Sequence, residues 1–308
     1  MGAARPNVFV VGDAKCGTTS LHRFFELAPG VGVAATRKEL HWFSEPELMA
    51  RRAGPGDERV EGRIIHDEAA YLAEFAGLDP RLPVIADVSP SYLQMEGAAA
   101  RIHAFAPEAK IVILLREPAD KVFSQYVHLW SQGRETASFA EGLARAAERR
   151  AAGWSDMFDY DTGGFYAEAV GRYLDLFGPS RVLVLLFEDA IRDWPGTRTR
   201  LAAFLGAALP ETHLPKMNIG GKVRSPVMAA LMASQSLRGV IRAVAPIGLR
   251  TKLSERVSSA VATDKPVLDP ATRARLDARF ADDARALETL LGRPTGWAAA
   301  AGPARASA

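Results

Sequence analysis

Residues 7–27, NVFVVGDAKCGTTSLHRFFEL, read as strand, turn and helix in immediate succession. Residues 7–11 form a short apolar run rich in branched side chains, 12–17 a turn of small residues, and 18–27 the opening of an amphipathic helix. This order builds an anion site. The first N–H groups of a helix have no intrahelical partner, and the helix dipole places partial positive charge there, so a phosphate or sulfate is favoured. Gly12 and Gly17 let the backbone turn and approach an anion, and Lys15 adds a mobile charge. Thr18, Thr19 and Ser20 contribute hydroxyl donors and a candidate N-cap.

The pattern G-x-x-x-x-G-K-[ST] of nucleotide-binding loops is matched only in part. Gly12 and Gly17 are correctly spaced, but Thr18 stands where the lysine belongs, Thr19 follows, and the lysine has moved to position 15. In ATP-using enzymes the lysine after the second glycine reaches the terminal phosphates, so its displacement argues against an ordinary ATPase or kinase. The least demanding alternative is a plain strand-to-helix turn with a capping threonine.

Working outward, runs dense in apolar and β-branched residues recur at 31–34, 83–88, 110–115 and 181–187. Helical patterns separate or follow them at 67–76, 91–106, 119–132, 138–151 and 165–177. Strands alternating with helices imply an α/β fold, and near-continuous apolar strands such as IVILL and VLVLLF imply burial on both faces. The expectation is a three-layer domain with a central parallel sheet of about five strands. Ligands in such sheets sit at the carboxyl ends of the strands. There the sequence places Lys38-Glu39-Leu40-His41-Trp42-Phe43 after the second strand and Asp87-Val88-Ser89-Pro90-Ser91-Tyr92 after the third. Arg116-Glu117-Pro118 follows the fourth and leads into a helix carrying Ser124.

The 308 residues carry 38 basic and 36 acidic side chains, a formal charge of +2 that offers no global field for nucleic acid. Any anion specificity must be local. The single cysteine, Cys16, excludes an intramolecular disulfide and reads as a small loop residue in a cytoplasmic protein. No run has transmembrane length, the apolar run at the N-terminus is short for a signal peptide, and the six histidines show no metal-ligand spacing. Residues 220–269 are different in character, beginning GGKVRSP and continuing through weakly amphipathic basic stretches at 227–243 and 249–262. Packing on the same domain is the expected role of 227–243, with peripheral membrane or acceptor contact as the alternative. Asp269 should cap a charged helix reaching about Leu291, with Gly292 and Pro294 ending it, and 298–308 reads as a disordered tail. The expected organisation is one domain over 1–297 with a helical subregion at about 226–291.

These blocks together resemble the P-loop-related sulfotransferases that use 3′-phosphoadenosine 5′-phosphosulfate (PAPS) as sulfuryl donor. The phosphosulfate loop of that family resembles AKCGTTSL, and its 3′-phosphate element resembles LLREPADKVFSQY, with Arg116 and Ser124. KELHWF is similar to the catalytic segment of the heparan sulfate 3-O- and N-sulfotransferase branch, where a glutamate is the base, and GGKVRSP to the basic loop that closes over the nucleotide. The resemblance implies PAPS bound by Lys15, Gly17, Thr18, Thr19, Ser20, Arg116, Ser124, Lys222 and Arg224, and no metal. Its implied acceptor is a hydroxyl or amine of a glycan, glycolipid or small molecule.

The residues themselves agree with that implication. PAPS has two separated anionic ends and needs two anion sites, and Arg116 with Ser124 eight residues on provides a fork donor and a hydroxyl for the second. An attacking hydroxyl must lose a proton, which Glu39 or, two residues on, His41 can take. Lys15 suits the charge developing on the leaving phosphate. One departure stands out: Asp87 and Val88 occupy the block where the glycosaminoglycan branch commonly carries a catalytic lysine, leaving Lys38 or Lys222 to supply that charge. Asp87 itself reads as an acceptor-binding carboxylate or, more simply, as a strand-end carboxylate capping the next turn. Residues 45–66 and 132–164, with Trp154, Phe158 and Tyr160, are the expected acceptor lining. The rival readings are a P-loop kinase using ATP and Mg²⁺ and a nucleotide-binding scaffold without catalysis.

Overall fold

The computed structural model describes residues 4–214 and 266–298. The strands are β1 (Val8–Val10), β2 (Val31–Val33), β3 (Val84–Val88), β4 (Lys110–Leu115) and β5 (Val182–Leu186). All neighbours pair in parallel, in the order β2-β3-β1-β4-β5. The chain order reverses direction across β1, so the turn after β1 opens at the switch point where α/β sheets place their ligands. The principal helices are α1 (Thr18–Phe25), α2 (Ala98–Phe105), α3 (Pro118–Ser131), α4 (Ala167–Phe177), α5 (Trp194–Leu205) and α6 (Pro270–Leu291).

Alternation along the strands divides the core into two layers. Phe9, Ile85, Ile111 and Ile113 face Ile102 of α2, Val170 and Tyr173 of α4, and Leu287 of α6. Val8, Val10, Val84, Val112 and Leu114 face Leu21 and Phe24 of α1 and Leu201 and Leu205 of α5. The parallel three-layer arrangement is therefore the expected one. A third cluster joins Val122 and Tyr126 of α3 to Phe158, Tyr160 and to Leu276 and Phe280 of α6. Asp269 caps α6 by accepting from the Thr272 N–H at 2.8 Å, and Gly292 ends it in the left-handed conformation.

Two helical expectations are corrected. Residues 91–106 are not one helix: a single 3₁₀ turn covers Pro90–Tyr92, and α2 starts only at Ala98. The intervening Gln94 instead donates to Asp13 Oδ2 and to the Phe165 carbonyl, and the Gly97 N–H donates to Glu47. Residues 138–151 break at Arg145 into Phe139–Ala144 and Ala146–Ala151. The break turns Arg149 inward, where it donates to both oxygens of the buried Glu135 at 2.6 and 3.1 Å. The expectations for 220–262, including 227–243 and 249–262, and for the tail beyond 298 lie outside the described residues.

Candidate active site

The turn between β1 and α1 is shaped by close packing. A side chain at Gly12 would meet the Leu114 backbone nitrogen at 2.7 Å, so only glycine lets the loop cross β4 this closely. Gly17, at φ 91°, occupies the N-cap position of α1. Among the described residues no side chain caps this helix, which corrects the expected threonine cap and leaves the N–H groups of its first turn for an anion. Thr18 instead accepts a hydrogen bond from Lys38 Nζ at 3.2 Å, while Thr19 and Ser20 are half-buried beside it.

Lys15 holds a left-handed backbone, φ 70°, unusual for a residue with a side chain and typical of positions held for function. Burial, then the neighbouring charges of Arg116 and Lys38, push its ammonium down to about 8. Arg116, immediately beyond β4, donates to the Lys15 carbonyl at 3.4 Å, and its guanidinium stacks 4.9 Å from the centroid of Phe187. Its Nε is buried with no partner among the described residues. Glu117 does not neutralise it, because that carboxylate caps α3 through Ala119 and Asp120 and pairs with Arg273. Ser124 lies half-buried on α3, and its hydroxyl has no hydrogen-bond partner among the described residues. One turn further, burial and then the charge of Lys15 push His128 down to about 4. Lys222 and Arg224 lie outside the described residues.

The segment after β2 brings the acid–base groups in. Glu39 Oε1 accepts from Lys38 Nζ at 2.6 Å, and Oε2 lies 3.5 Å from His41 Nε2. Burial opposes ionisation of Glu39, but Lys38 and His41 outweigh it and hold the carboxyl below its ordinary value. Burial holds His41 below the ordinary imidazole value in spite of Glu39, so the ring is neutral near pH 7. His41 Nδ1 meets Ser91 Oγ at 2.9 Å. Of the two lysines expected to supply the missing charge, Lys38 pairs with Glu39, and Lys222 lies outside the described residues.

Some contributors were invisible in sequence. Asp13 and Lys121, both buried, pair at 2.8 Å and lock the loop to α3, and Lys121 also donates to the Gly163 carbonyl at 2.6 Å. No spacing rule links residues so far apart in the chain, although a lone carboxylate in a cationic loop was a signal. Phe187 beneath Arg116 gave none. The expected acceptor lining is partly corrected: residues 53–57 and 153–155 do meet, with the Ala53 N–H donating to the Gly153 carbonyl and the Ser155 N–H to Asp57. Phe158 and Tyr160, however, are wholly buried, Tyr160 because its hydroxyl donates to Glu135 Oε2 at 3.1 Å.

An uncapped helix start, a converging lysine and arginine, and a second hydroxyl-bearing helix define a protein of the P-loop-like nucleotide-binding class. Comparison with known proteins narrows this, since the description "Sulfotransferase family" matches residues 6–211, and the chain belongs to that family. A crystal structure of a sulfotransferase from Alicyclobacillus acidocaldarius superposes with a TM-score of 0.74 at 34% identity, covering 96% of this chain and 99% of that one. Among curated proteins, carbohydrate sulfotransferase 15 of Rattus norvegicus is 25% identical over 248 residues, 65% of this chain and 43% of that protein. Heparan sulfate glucosamine 3-O-sulfotransferase 6 of Mus musculus is 27% identical over 205 residues, 65% of this chain and 52% of that protein. The chain thus spans about half the length of these curated relatives.

Proposed function

We propose that the protein is a PAPS-dependent sulfotransferase acting on a hydroxyl or amine of a glycan, glycolipid or small-molecule acceptor. The observation that carries the reading is the crowding of Lys15 against Arg116 and Lys38 at the uncapped start of α1, with Glu39 beside them. Cations driven together in a half-buried loop, one with an orphaned buried Nε, are stabilised by a dense anion. PAPS, when bound, supplies an activated sulfuryl group and a phosphate leaving group. The first turn of α1, with Thr18, Thr19 and Ser20, and Lys15 would hold its phosphosulfate, and Arg116 and Ser124 its 3′-phosphate. Lys222 and Arg224, which lie outside the described residues, are the further nucleotide-binding cations of this reading.

Glu39 is the proposed base. Its carboxylate is ionised near pH 7, and one within hydrogen-bond reach of the acceptor contributes roughly 10²–10⁴-fold to the transfer. His41 orients the acceptor or shares the proton through its 3.5 Å contact with Glu39. Lys15 neutralises charge on the departing phosphate. Residues 1–297 act as one domain in this reading, and α6 supports it by packing on α3 and α4. A cytoplasmic setting belongs to the same reading, supported by Cys16 as the single cysteine of the chain.

Calorimetry with 3′,5′-bisphosphoadenosine (PAP) against ATP, each with and without Mg²⁺, tests the nucleotide. Metal-independent preference for PAP is expected, and a Mg²⁺-dependent preference for ATP would overturn the reading. Glu39→Gln should abolish transfer of labelled sulfuryl groups while PAP still binds; near-normal turnover would shift the role of base to His41.

A further inference from the structure

Asp87 presents a problem that the proposed chemistry does not use. It lies in β3 on the sheet face of Ile85, wholly buried beside Tyr71, Tyr92 and Phe43, and no acceptor can reach it. A carboxylate there is retained only if its oxygens are satisfied. Oδ2 accepts from the hydroxyls of Tyr71 and Tyr92, each at 2.9 Å, and Oδ1 accepts from Ser89 Oγ at 2.6 Å. Because the Ser89 proton is committed to Asp87, its oxygen is free to accept, and it does so from the Leu40 N–H at 3.0 Å. Leu40 lies between Glu39 and His41.

The same turn grips the other side. Ser91 Oγ meets His41 Nδ1 at 2.9 Å and Ser44 Oγ at 2.8 Å, and Ser44 Oγ donates to the His41 carbonyl at 3.1 Å. Between the two grips His41 is held at φ 58°, ψ 5°, the left-handed conformation that residues with a side chain seldom adopt. A left-handed residue persists only where its surroundings over-determine it.

We propose that Asp87 is a positioning residue: it orients Ser89, and the Ser89–Ser91 turn clamps the Leu40 backbone and the His41 ring so that Glu39 is presented to the acceptor. Asp87 holds the following turn through the side chains of Ser89 and Tyr92 rather than through backbone N–H groups, and through Ser89 it acts on the Leu40 segment as well. The role rests on Glu39 being the base, and the two claims are separable.

Imidazole ¹⁵N NMR of His41 tests the clamp without an acceptor, in the native chain, Ser89→Ala, Asp87→Asn and Ser91→Ala, with PAP affinity and melting temperature recorded for each. Ser89→Ala and Asp87→Asn are expected to move the His41 titration and tautomer signals while PAP affinity stays within about twofold, since the anion loop is untouched. Ser91→Ala keeps the buried carboxylate and changes the tautomer balance directly, so it reports even if Asp87→Asn folds poorly. Where turnover is measurable, with ³⁵S-labelled PAPS and 4-nitrophenol or a desulfated heparan oligosaccharide, Ser89→Ala should lower kcat roughly 10–100-fold, as a small misplacement of a catalytic group does. An unchanged His41 spectrum in folded, PAP-binding Ser89→Ala and Asp87→Asn overturns the clamp whatever Glu39 does. Full turnover in Glu39→Gln overturns the base whatever the spectrum shows.

Discussion

Lys38 Nζ stands 3.2 Å from Thr18 Oγ1, so the segment that carries Glu39 is tied directly to the first turn of α1. The same ammonium pairs with Glu39 at 2.6 Å and lowers its pKa. Lys38→Met should therefore do two things. Transfer should fall at least tenfold, in line with the loss of a charge-assisted contact in a catalytic site. The acid limb of the pH–rate profile should also move to higher pH, because the Glu39 carboxyl loses the cation that favours its ionised form. A profile that keeps its acid limb in place would separate Lys38 from Glu39.

Lys15 is pushed down to about 8 by burial and by Arg116 and Lys38. In the free protein it loses its proton as pH rises through that value, and an anionic nucleotide binds the protonated form more tightly. PAP affinity should be highest below about pH 8 and decline above it, with a further inflection on the titration of the ligand itself. Calorimetry from pH 6 to 9 measures this. In Lys15→Met the inflection near 8 should vanish, leaving weaker binding across the range.

The Arg116 guanidinium lies over the Phe187 ring, 4.9 Å from its centroid. Phe187→Ala removes this contact and frees the guanidinium to rotate. A cation–π contact of this kind contributes about 1 kcal/mol, so PAP should bind roughly fivefold more weakly. Phe187→Trp should preserve affinity better than Phe187→Ala, and equal losses in both would make the contact one of packing alone.

Cys16 is wholly buried, its Sγ placed 3.6 Å from the Ala14 carbonyl. Burial and then Asp13 push the thiol far up, away from the thiolate that reacts. Native protein should resist iodoacetamide at pH 8, with alkylation appearing only on unfolding. Mass spectrometry with and without denaturant reads the outcome, and rapid labelling of folded protein would show that the loop opens.

Much of the site was legible because its parts are local. A glycine turn between an apolar strand and an amphipathic helix depends on neighbouring residues, so Gly12, Lys15 and Gly17 could be placed from their spacing, as could Arg116 at a strand end. The threonine cap failed for a local reason as well: Gly17 takes the N-cap position, and Thr18 turns to Lys38. Residues 91–106 have helical composition, yet Gln94 leaves the pattern to reach Asp13 and Phe165. Phe158 and Tyr160 looked like a cleft lining because sequence shows that an aromatic is present, not which way it faces.

The sequence by itself determined the parallel α/β architecture, the anion loop and the residues flanking it, because hydrophobic periodicity, glycine geometry and helix termini act over a few residues. Tertiary structure alone decided which charges are paired and which remain open. Asp13 is spent on Lys121, Glu117 on Arg273 and Asp87 on Tyr71, Tyr92 and Ser89, whereas Lys15 and Arg116 have no carboxylate within salt-bridge distance among the described residues. Pairing depends on distances of a few ångströms between segments tens of residues apart, and those distances exist only once the sheet has brought the strand ends together.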